Sequence, residues 1–107
     1  MSDTNYVMVM TTCADDEQAA RIATALVEKR LAACVQASPI TSTYRWKGAV
    51  ETEREVRLLI KARSADYDPI AALIAAMHSY ENPEVVAIPV SAGAPLYLDW
   101  IEAETRR

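Results

Sequence analysis

The chain has 107 residues, of which 51% are hydrophobic and 24% are charged, so it can form one domain over residues 1–107 with a packed core. Its formal net charge of −4, without a run of Lys or Arg, argues against a nucleic-acid partner. No apolar run approaches the roughly 18 residues of a membrane span, and no basic region precedes an apolar stretch near Asp3, so we expect neither a span nor an export signal.

The first predicted strand covers residues 6–12, a run that is apolar on both faces, as is typical of an interior strand. The segment Thr12-Cys-Ala-Asp15 has the Ser/Thr-x-x-Asp/Glu pattern of a capping box at the start of a helix. Apolar residues at helical spacing follow, and they predict a helix from about residue 15 to residue 31.

A long β-hairpin is predicted next, with an incoming arm over residues 32–46 and a return arm over residues 49–63. Gly48 stands between the arms, where a tight turn needs a residue free to adopt positive φ. Fourteen strand residues reach about 46 Å, whereas a compact domain of this size is roughly 34 Å across. We therefore expect the arms to overhang the core and to pair with other copies of the chain.

The second half of the chain predicts a helix, a strand and a terminal helix. Asp66 or Asp68 is expected to cap the second helix, whose apolar stripe ends near residue 77. The fourth strand is predicted over residues 84–90. A short helix over residues 96–104 is expected to turn three apolar side chains inward: Leu96, Trp100 and Ile101.

Two prolines predict local irregularity in strands, because proline cannot donate to a ladder. Pro39 in the incoming arm and Pro89 in the fourth strand each indicate an edge position or a bulge. The element order is β-α-β-β-α-β with a C-terminal helix. It predicts an α+β, ferredoxin-like fold with a four-stranded antiparallel sheet and helices on one face.

Five short motifs run through the chain: Leu31-Ala-Ala-Cys34, Tyr44-Arg-Trp-Lys-Gly48 with Glu51, Leu59-Ile-Lys61, His78-Ser-Tyr-Glu-Asn-Pro-Glu84 and Tyr97-Leu-Asp-Trp100. Together and in this order they resemble the CutA divalent-cation tolerance family. The resemblance implies a homotrimer similar to that of the PII signalling proteins, in which the hairpin arms extend the neighbours' sheets. It also implies a cytoplasmic protein linked to copper and other divalent metals, and two cysteines without a disulfide framework fit that compartment.

The chain departs from the family pattern near the end of the second helix. Family members usually have His-Pro-Tyr where this chain has His78-Ser79-Tyr80. Some members proposed to bind copper offer a cysteine near the end of the first strand and two adjacent histidines at the helix end. The corresponding positions here are Thr12 (with Cys13 beside it), Met77 and His78, and such a softer set would suit Cu(I).

The predicted metal ligands are His78, Cys13 and Glu81. His78 is the single histidine, and its alternative role is a helix-end histidine that hydrogen-bonds free carbonyl groups. Cys13 stands near a helix N-terminus, which would lower its pKa and favour the thiolate. The alternative for Cys13 is a buried thiol that packs as a small hydrophobic side chain.

Five further residues are candidates for a ligand cleft between subunits: Thr12, Lys61, Tyr80, Trp46 and Tyr97. The aromatic side chains could stack on a planar ligand, or they could anchor the core or a subunit interface. Lys61 could bind an anion, or it could be a solvated charge on the exposed face of the return arm.

The sequence lacks a Gly-rich phosphate loop, a Gly-x-Ser-x-Gly motif and a His-Glu-x-x-His motif, so we expect a protein that is not an enzyme. The function predicted is a homotrimer that binds copper or another divalent cation between subunits and contributes to the cellular response to metal ions. The alternative is a PII-like regulatory scaffold that binds a small anionic ligand and a protein partner. A third hypothesis is an enzyme whose active site is the cleft between subunits.

Overall fold

The computed structural model describes residues 5–107, and the first four residues, including Asp3, lie outside the described part of the chain. Within residues 5–107, strands and helices follow each other in the predicted order. They are β1 (Tyr6–Cys13), α1 (Asp16–Glu28), β2 (Cys34–Trp46), β3 (Ala49–Arg63), α2 (Tyr67–Met77), β4 (Val86–Pro89) and α3 (Pro95–Thr105). A 3-10 turn over Ser64–Asp66 leads into α2.

The four strands form one antiparallel sheet in the order β2-β3-β1-β4. This order and the terminal helix confirm the predicted α+β, ferredoxin-like fold. Pro39 and Pro89 lie in β2 and β4, which are the two edge strands, so the predicted edge positions are confirmed.

The hairpin of β2 and β3 pairs without a bulge, from Cys34 opposite Lys61 to Trp46 opposite Ala49. Lys47 (φ 48°) and Gly48 (φ 84°) form the turn, and positive φ at both positions is the pattern of a type I′ hairpin. Within the described chain, β1 pairs with β3 only from Val56 onward, so residues 49–55 lack a neighbour on that side.

The outer arm, defined as residues 40–46 and 49–55, therefore extends beyond the rest of the sheet. The principal extents of the chain are 44 × 29 × 22 Å, so its long axis matches the length expected of the hairpin. The predicted overhang is confirmed. Val50 illustrates the result: it shares a face with the core residues of β3, yet it is 65% exposed.

The core lies between α1, α2 and one face of the sheet, which we call the helix-covered face. Alternate residues of β1 and β3 project into it, and the helices add residues at helical spacing. The side chains in this cluster with no measurable exposure are Val9, Cys13, Ile22, Leu26, Leu58, Ile60, Ala62, Ile70 and Ile74. The opposite side of the sheet, which we call the second face, carries Met8, Met10 and Thr12 of β1 and the odd-numbered residues of β3.

Helix α1 differs from the prediction at both ends. Asp15, not Thr12, is the N-cap: its Oδ1 accepts from the Gln18 N–H at 2.8 Å, whereas Thr12 still belongs to β1. The helix ends at Glu28, three residues before the predicted end, because Arg30 adopts a positive φ of 58°. The Leu31 N–H then donates to Leu26 O and the Arg30 N–H to Val27 O, which is a Schellman motif.

Helix α3 corrects two predictions of inward-facing residues. Ile101 is buried as expected, but Leu96 is 85% exposed and Trp100 is 41% exposed. The buried side of α3 is formed by Ile101 and Thr105, which lie one turn apart. Leu96 and Trp100 lie beside that buried side and are exposed.

Asp66 precedes α2 in the cap position, but its side chain makes no capping hydrogen bond. The carboxylate instead binds two guanidinium groups, with Oδ1 2.6 Å from Arg107 and Oδ2 3.3 Å from Arg63. Asp66 is buried, and Arg107 also donates to the Arg30 carbonyl at 2.7 Å. This cluster holds the end of the chain against the start of α2 and the end of α1.

We expect Asp66→Asn to lower the free energy of unfolding by about 3 kcal/mol, because two arginine side chains lose a buried anionic partner. Asp68→Asn is the matched control, since Asp68 is exposed in the same helical turn and should change stability by less than about 0.5 kcal/mol. Urea unfolding at one fixed protein concentration measures both changes. Equal effects of the two substitutions would contradict the role of the cluster.

Candidate functional site

His78 lies at the C-terminal end of α2 and connects it to the end of β1. Its Nε2 is 2.7 Å from the Thr12 carbonyl oxygen, and its Nδ1 is 3.1 Å from the Tyr80 backbone nitrogen. Because the Tyr80 N–H donates to Nδ1, the ring proton resides on Nε2, which donates to Thr12. Both ring nitrogens are thus engaged, and the carbonyl partner belongs to β1 and not to the free carbonyl groups at the end of α2.

Cys13 is the last residue of β1, and its side chain is fully buried on the helix-covered face. Burial, followed by the nearby charges of Asp15 and Glu55, raises the pKa of the thiol to about 11. The predicted lowering of this pKa by the helix N-terminus is therefore wrong. Desolvation of the thiolate outweighs the dipole of α1, and the neighbouring carboxylates act in the same direction.

Glu81 is exposed, and its Oε2 lies 3.9 Å from the Lys47 ammonium group at the hairpin turn. Met77 packs against the hydrophobic core. Within residues 5–107, no group of three or more His, Cys, Asp or Glu side chains is arranged to hold a metal ion. One chain therefore does not bring His78, Cys13 and Glu81 together as a ligand set.

Two tyrosine–carboxylate pairs lie on the second face beside this region. The Tyr80 hydroxyl donates to Glu55 at 2.8 Å, and the Tyr44 hydroxyl donates to Glu53 at 2.7 Å. The hydrogen bond and nearby carboxylates raise the pKa of Tyr44 to about 12, and burial, followed by the Glu55 bond, also raises the pKa of Tyr80. Both hydroxyls therefore remain protonated donors at neutral pH.

Sequence reasoning missed these pairs, although the signal was present. Glu51, Glu53 and Glu55 alternate along β3 and so share one face. The hairpin register places Tyr44 directly opposite Glu51, within diagonal reach of Glu53. The bond from Tyr80 could not be anticipated, because it depends on the path of the chain after α2.

The residues proposed for a ligand cleft lie in three separate places. The Thr12 carbonyl oxygen accepts a hydrogen bond from His78, and the centre of the Tyr80 ring lies 4.7 Å from the centre of the His78 ring. The Lys61 ammonium group lies 5.4 Å from the centre of the Tyr97 ring, at the opposite end of β3. Trp46 lies beside the hairpin turn, with the Lys47 ammonium group 5.4 Å from its ring. One chain therefore forms only parts of the predicted cleft.

We expect the Cys13 thiol to react slowly with iodoacetamide at pH 8 and faster as the pH approaches 11, since only the thiolate is nucleophilic. The experiment uses a Cys34→Ser variant, which leaves Cys13 as the single thiol. Mass spectrometry gives the rate, and the same protein unfolded in urea is the control. Rapid labelling of the folded protein at pH 8 would contradict the burial of this thiol.

Comparison with known proteins identifies the family. Residues 7–104 match the family model described as CutA1 divalent ion tolerance protein. The chain is 45% identical to mouse Protein CutA, with 88% of this chain and 54% of the mouse protein aligned. It is 42% identical to the divalent-cation tolerance protein CutA of Thermus thermophilus, with 92% and 96% aligned. The chain thus spans about half the length of the mouse relative and nearly all of the bacterial one.

The fold agrees with that assignment. A solved structure of the periplasmic divalent cation tolerance protein CutA from Archaeoglobus fulgidus superposes with a TM-score of 0.93 at 38% identity, covering 94% of this chain and 99% of that one. No helix within residues 5–107 has both the length and the apolar character needed to cross a bilayer. The family is defined by tolerance of divalent cations and not by a catalysed reaction. The chain belongs to the CutA family of divalent-cation tolerance proteins.

Proposed function

We propose that the protein is a homotrimer that binds copper or another divalent cation between its subunits and contributes to the cellular response to metal ions. The observation that carries this proposal is the outer arm. Residues 49–55 of β3 have no β1 partner, and the outer edge of β2 is unpaired within the described chain. Unpaired strand edges of this length favour pairing with another chain.

Exposed apolar side chains support assembly. The described part of one chain leaves large apolar groups accessible on the outer arm, on β4 and on α3. They are Tyr44, Trp46, Val50, Val86, Ile88, Leu96, Tyr97 and Trp100. Aromatic and aliphatic residues gathered in this way are typical of subunit interfaces.

The family relationship supports a divalent cation as the physiological effector, but the donor atoms of one chain do not fit a bound ion. His78 uses both ring nitrogens internally, Cys13 is a protonated buried thiol, and Glu81 is paired with a lysine. We therefore propose that side chains from two copies are needed, with His78, Cys13 and Glu81 as this chain's contribution. Because Cys13 is fully buried on the helix-covered face, it would have to become accessible and lose its proton to bind, so the affinity would rise with pH.

We propose a cytoplasmic location. Cys13 and Cys34 are both free thiols, and they lie on opposite faces of the sheet, so they are not placed to form an intramolecular disulfide. This differs from the periplasmic location stated for the Archaeoglobus fulgidus protein. Free thiols are usual in a reducing compartment.

We expect the protein to sediment at micromolar concentration with three times the mass of one chain. A shortened variant that lacks residues 41–44 and 51–54 removes four opposed pairs and keeps the Lys47–Gly48 turn and the strand faces. This variant should retain the core, as judged by circular dichroism, but sediment as a monomer. A wild-type protein that remains monomeric would remove both the trimer and the site between subunits.

We expect copper titration of the wild-type protein to show saturable binding that His78→Gln weakens by at least the roughly tenfold expected for a damaged metal site. Glutamine can still donate a hydrogen bond to Thr12, so this variant preserves the link between α2 and β1. Cys13→Ser and Glu81→Gln test the other two ligands, and Asp68→Asn is a control for a remote loss of negative charge. Equal binding by all variants would exclude the named site.

A thermal-shift screen separates this proposal from the anion-binding scaffold. A ligand present at one hundred times its Kd stabilises the folded protein by about 2.7 kcal/mol. We expect a clear shift with copper and none with nucleotides or organic anions. The reverse result would favour the PII-like function, and catalytic turnover lost in Lys61→Ala would favour an enzyme.

A further inference from the structure

The charged residues on the second face of β3 are sorted by sign along the strand. Glu51, Glu53 and Glu55 lie on the outer arm, where β3 has no β1 partner. The three basic residues of the same face lie over the main sheet: Arg57, Lys61 and Arg63. One strand face is therefore acidic where β3 overhangs and basic where β3 pairs with β1.

Among the basic residues of this face, Arg57 has no ionic partner within residues 5–107. Its Nε is shielded from solvent and has no hydrogen-bond acceptor in the described part of the chain. The residues directly opposite it, Thr12 and Ser38, are not acidic, and no ion pair found within residues 5–107 includes Arg57. Arg57 is half-buried, and a shielded N–H of a charged group without an acceptor is unfavourable, so this position is incomplete in one chain.

The other two basic residues of this face are already engaged. Arg63 contacts Asp66 at 3.3 Å and Glu102 at 3.6 Å. Lys61 lies over the ring of Tyr97 at 5.4 Å. The Nε of Arg63 also lacks an acceptor, but its terminal nitrogens contact two carboxylates, whereas Arg57 has no carboxylate partner within residues 5–107.

Glu51 is the complementary acidic residue. Glu53 and Glu55 accept hydrogen bonds from Tyr44 and Tyr80, whereas Glu51 takes part in none of the ion pairs or side-chain hydrogen bonds found within residues 5–107. Like charges at alternate positions on one strand face repel each other. The arginines of the outer arm, at positions 45 and 54, lie on the opposite face and cannot relieve this repulsion.

We propose that Arg57 of each copy forms an ion pair with Glu51 of the partner subunit, whose outer arm crosses the second face. This inference rests on the proposed homotrimer and defines how its copies meet. The acidic part of one chain meets the basic part of the next, so the contact is heterologous and joins copies head to tail into a ring. Met10 and Leu59, which lie next to Arg57 on the same face, become covered by the same arm.

Charge reversal tests the pair. Arg57→Glu and Glu51→Arg each place like charges at the contact, and each is expected to raise the dissociation constant of the oligomer by about tenfold or more. The double variant E51R/R57E restores opposite charges in reversed order and is expected to return the dissociation constant towards the wild-type value. Sedimentation over a concentration series measures all four proteins, and circular dichroism reports their folding.

Matched controls carry the same charge changes on helix α1, away from the outer arm. Arg21→Glu and Glu17→Arg alter two exposed positions of this helix, and they should leave the dissociation constant unchanged. If a charge-reversed single variant does not fold, Arg57→Gln and Glu51→Gln replace it. Each neutral variant should then weaken assembly, and the double neutral variant should weaken it no more than either one alone.

Three results would overturn the inference, and they are distinguishable. A trimeric wild type that Arg57→Glu does not weaken removes the ion pair but leaves the proposed trimer. A monomeric wild type removes both. If inorganic phosphate stabilises the wild type and not Arg57→Gln, while Glu51→Arg has no effect, Arg57 binds a small anion and not a neighbouring carboxylate.

Discussion

The unbroken register between β2 and β3 is the constraint on which the rest of the structure depends. Because the pairing runs from Cys34 opposite Lys61 to the turn at Lys47 and Gly48, every side chain on both strands has an assigned face. One face supplies Leu58 and the other buried residues to the core. The other face receives the tyrosine–carboxylate pairs and the separated charges. Both the stability of one chain and its capacity to meet another follow from this alignment.

Much of this alignment was predictable from the sequence, because a period of two is a local property. The alternation in β3 and the position of Gly48 predicted the hairpin, its approximate length and its overhang. The ends of α1 were harder to predict from the sequence. Asp15 replaced Thr12 as the cap because β1 continued by one residue, and Arg30 ended the helix in a conformation that usually favours glycine. The Arg30 carbonyl also accepts a hydrogen bond from Arg107 at the far end of the chain, and no local sequence pattern predicts such a contact.

The candidate site was predicted less well than the fold, for a similar reason. His78 was easy to identify as the single histidine, but its partners are a backbone carbonyl and a backbone N–H, which every residue possesses. The behaviour of Cys13 depended on whether burial or the helix dipole had the larger effect on its thiol, and burial prevailed. Side chains such as Trp100 are exposed in one chain. Their environment in an assembly is a property of several chains and cannot be derived from one.

The two-residue turn also limits how the arms of this hairpin can change during evolution. Adding or removing one residue in a single arm would exchange inward and outward side chains across the remainder of that strand, or would require a bulge. Insertions and deletions tolerated in the arms should therefore occur as opposed pairs, and in even numbers wherever the outer arm must keep its orientation. Arm length among descendants of this chain is therefore expected to change in steps of two residues per strand, or roughly 7 Å.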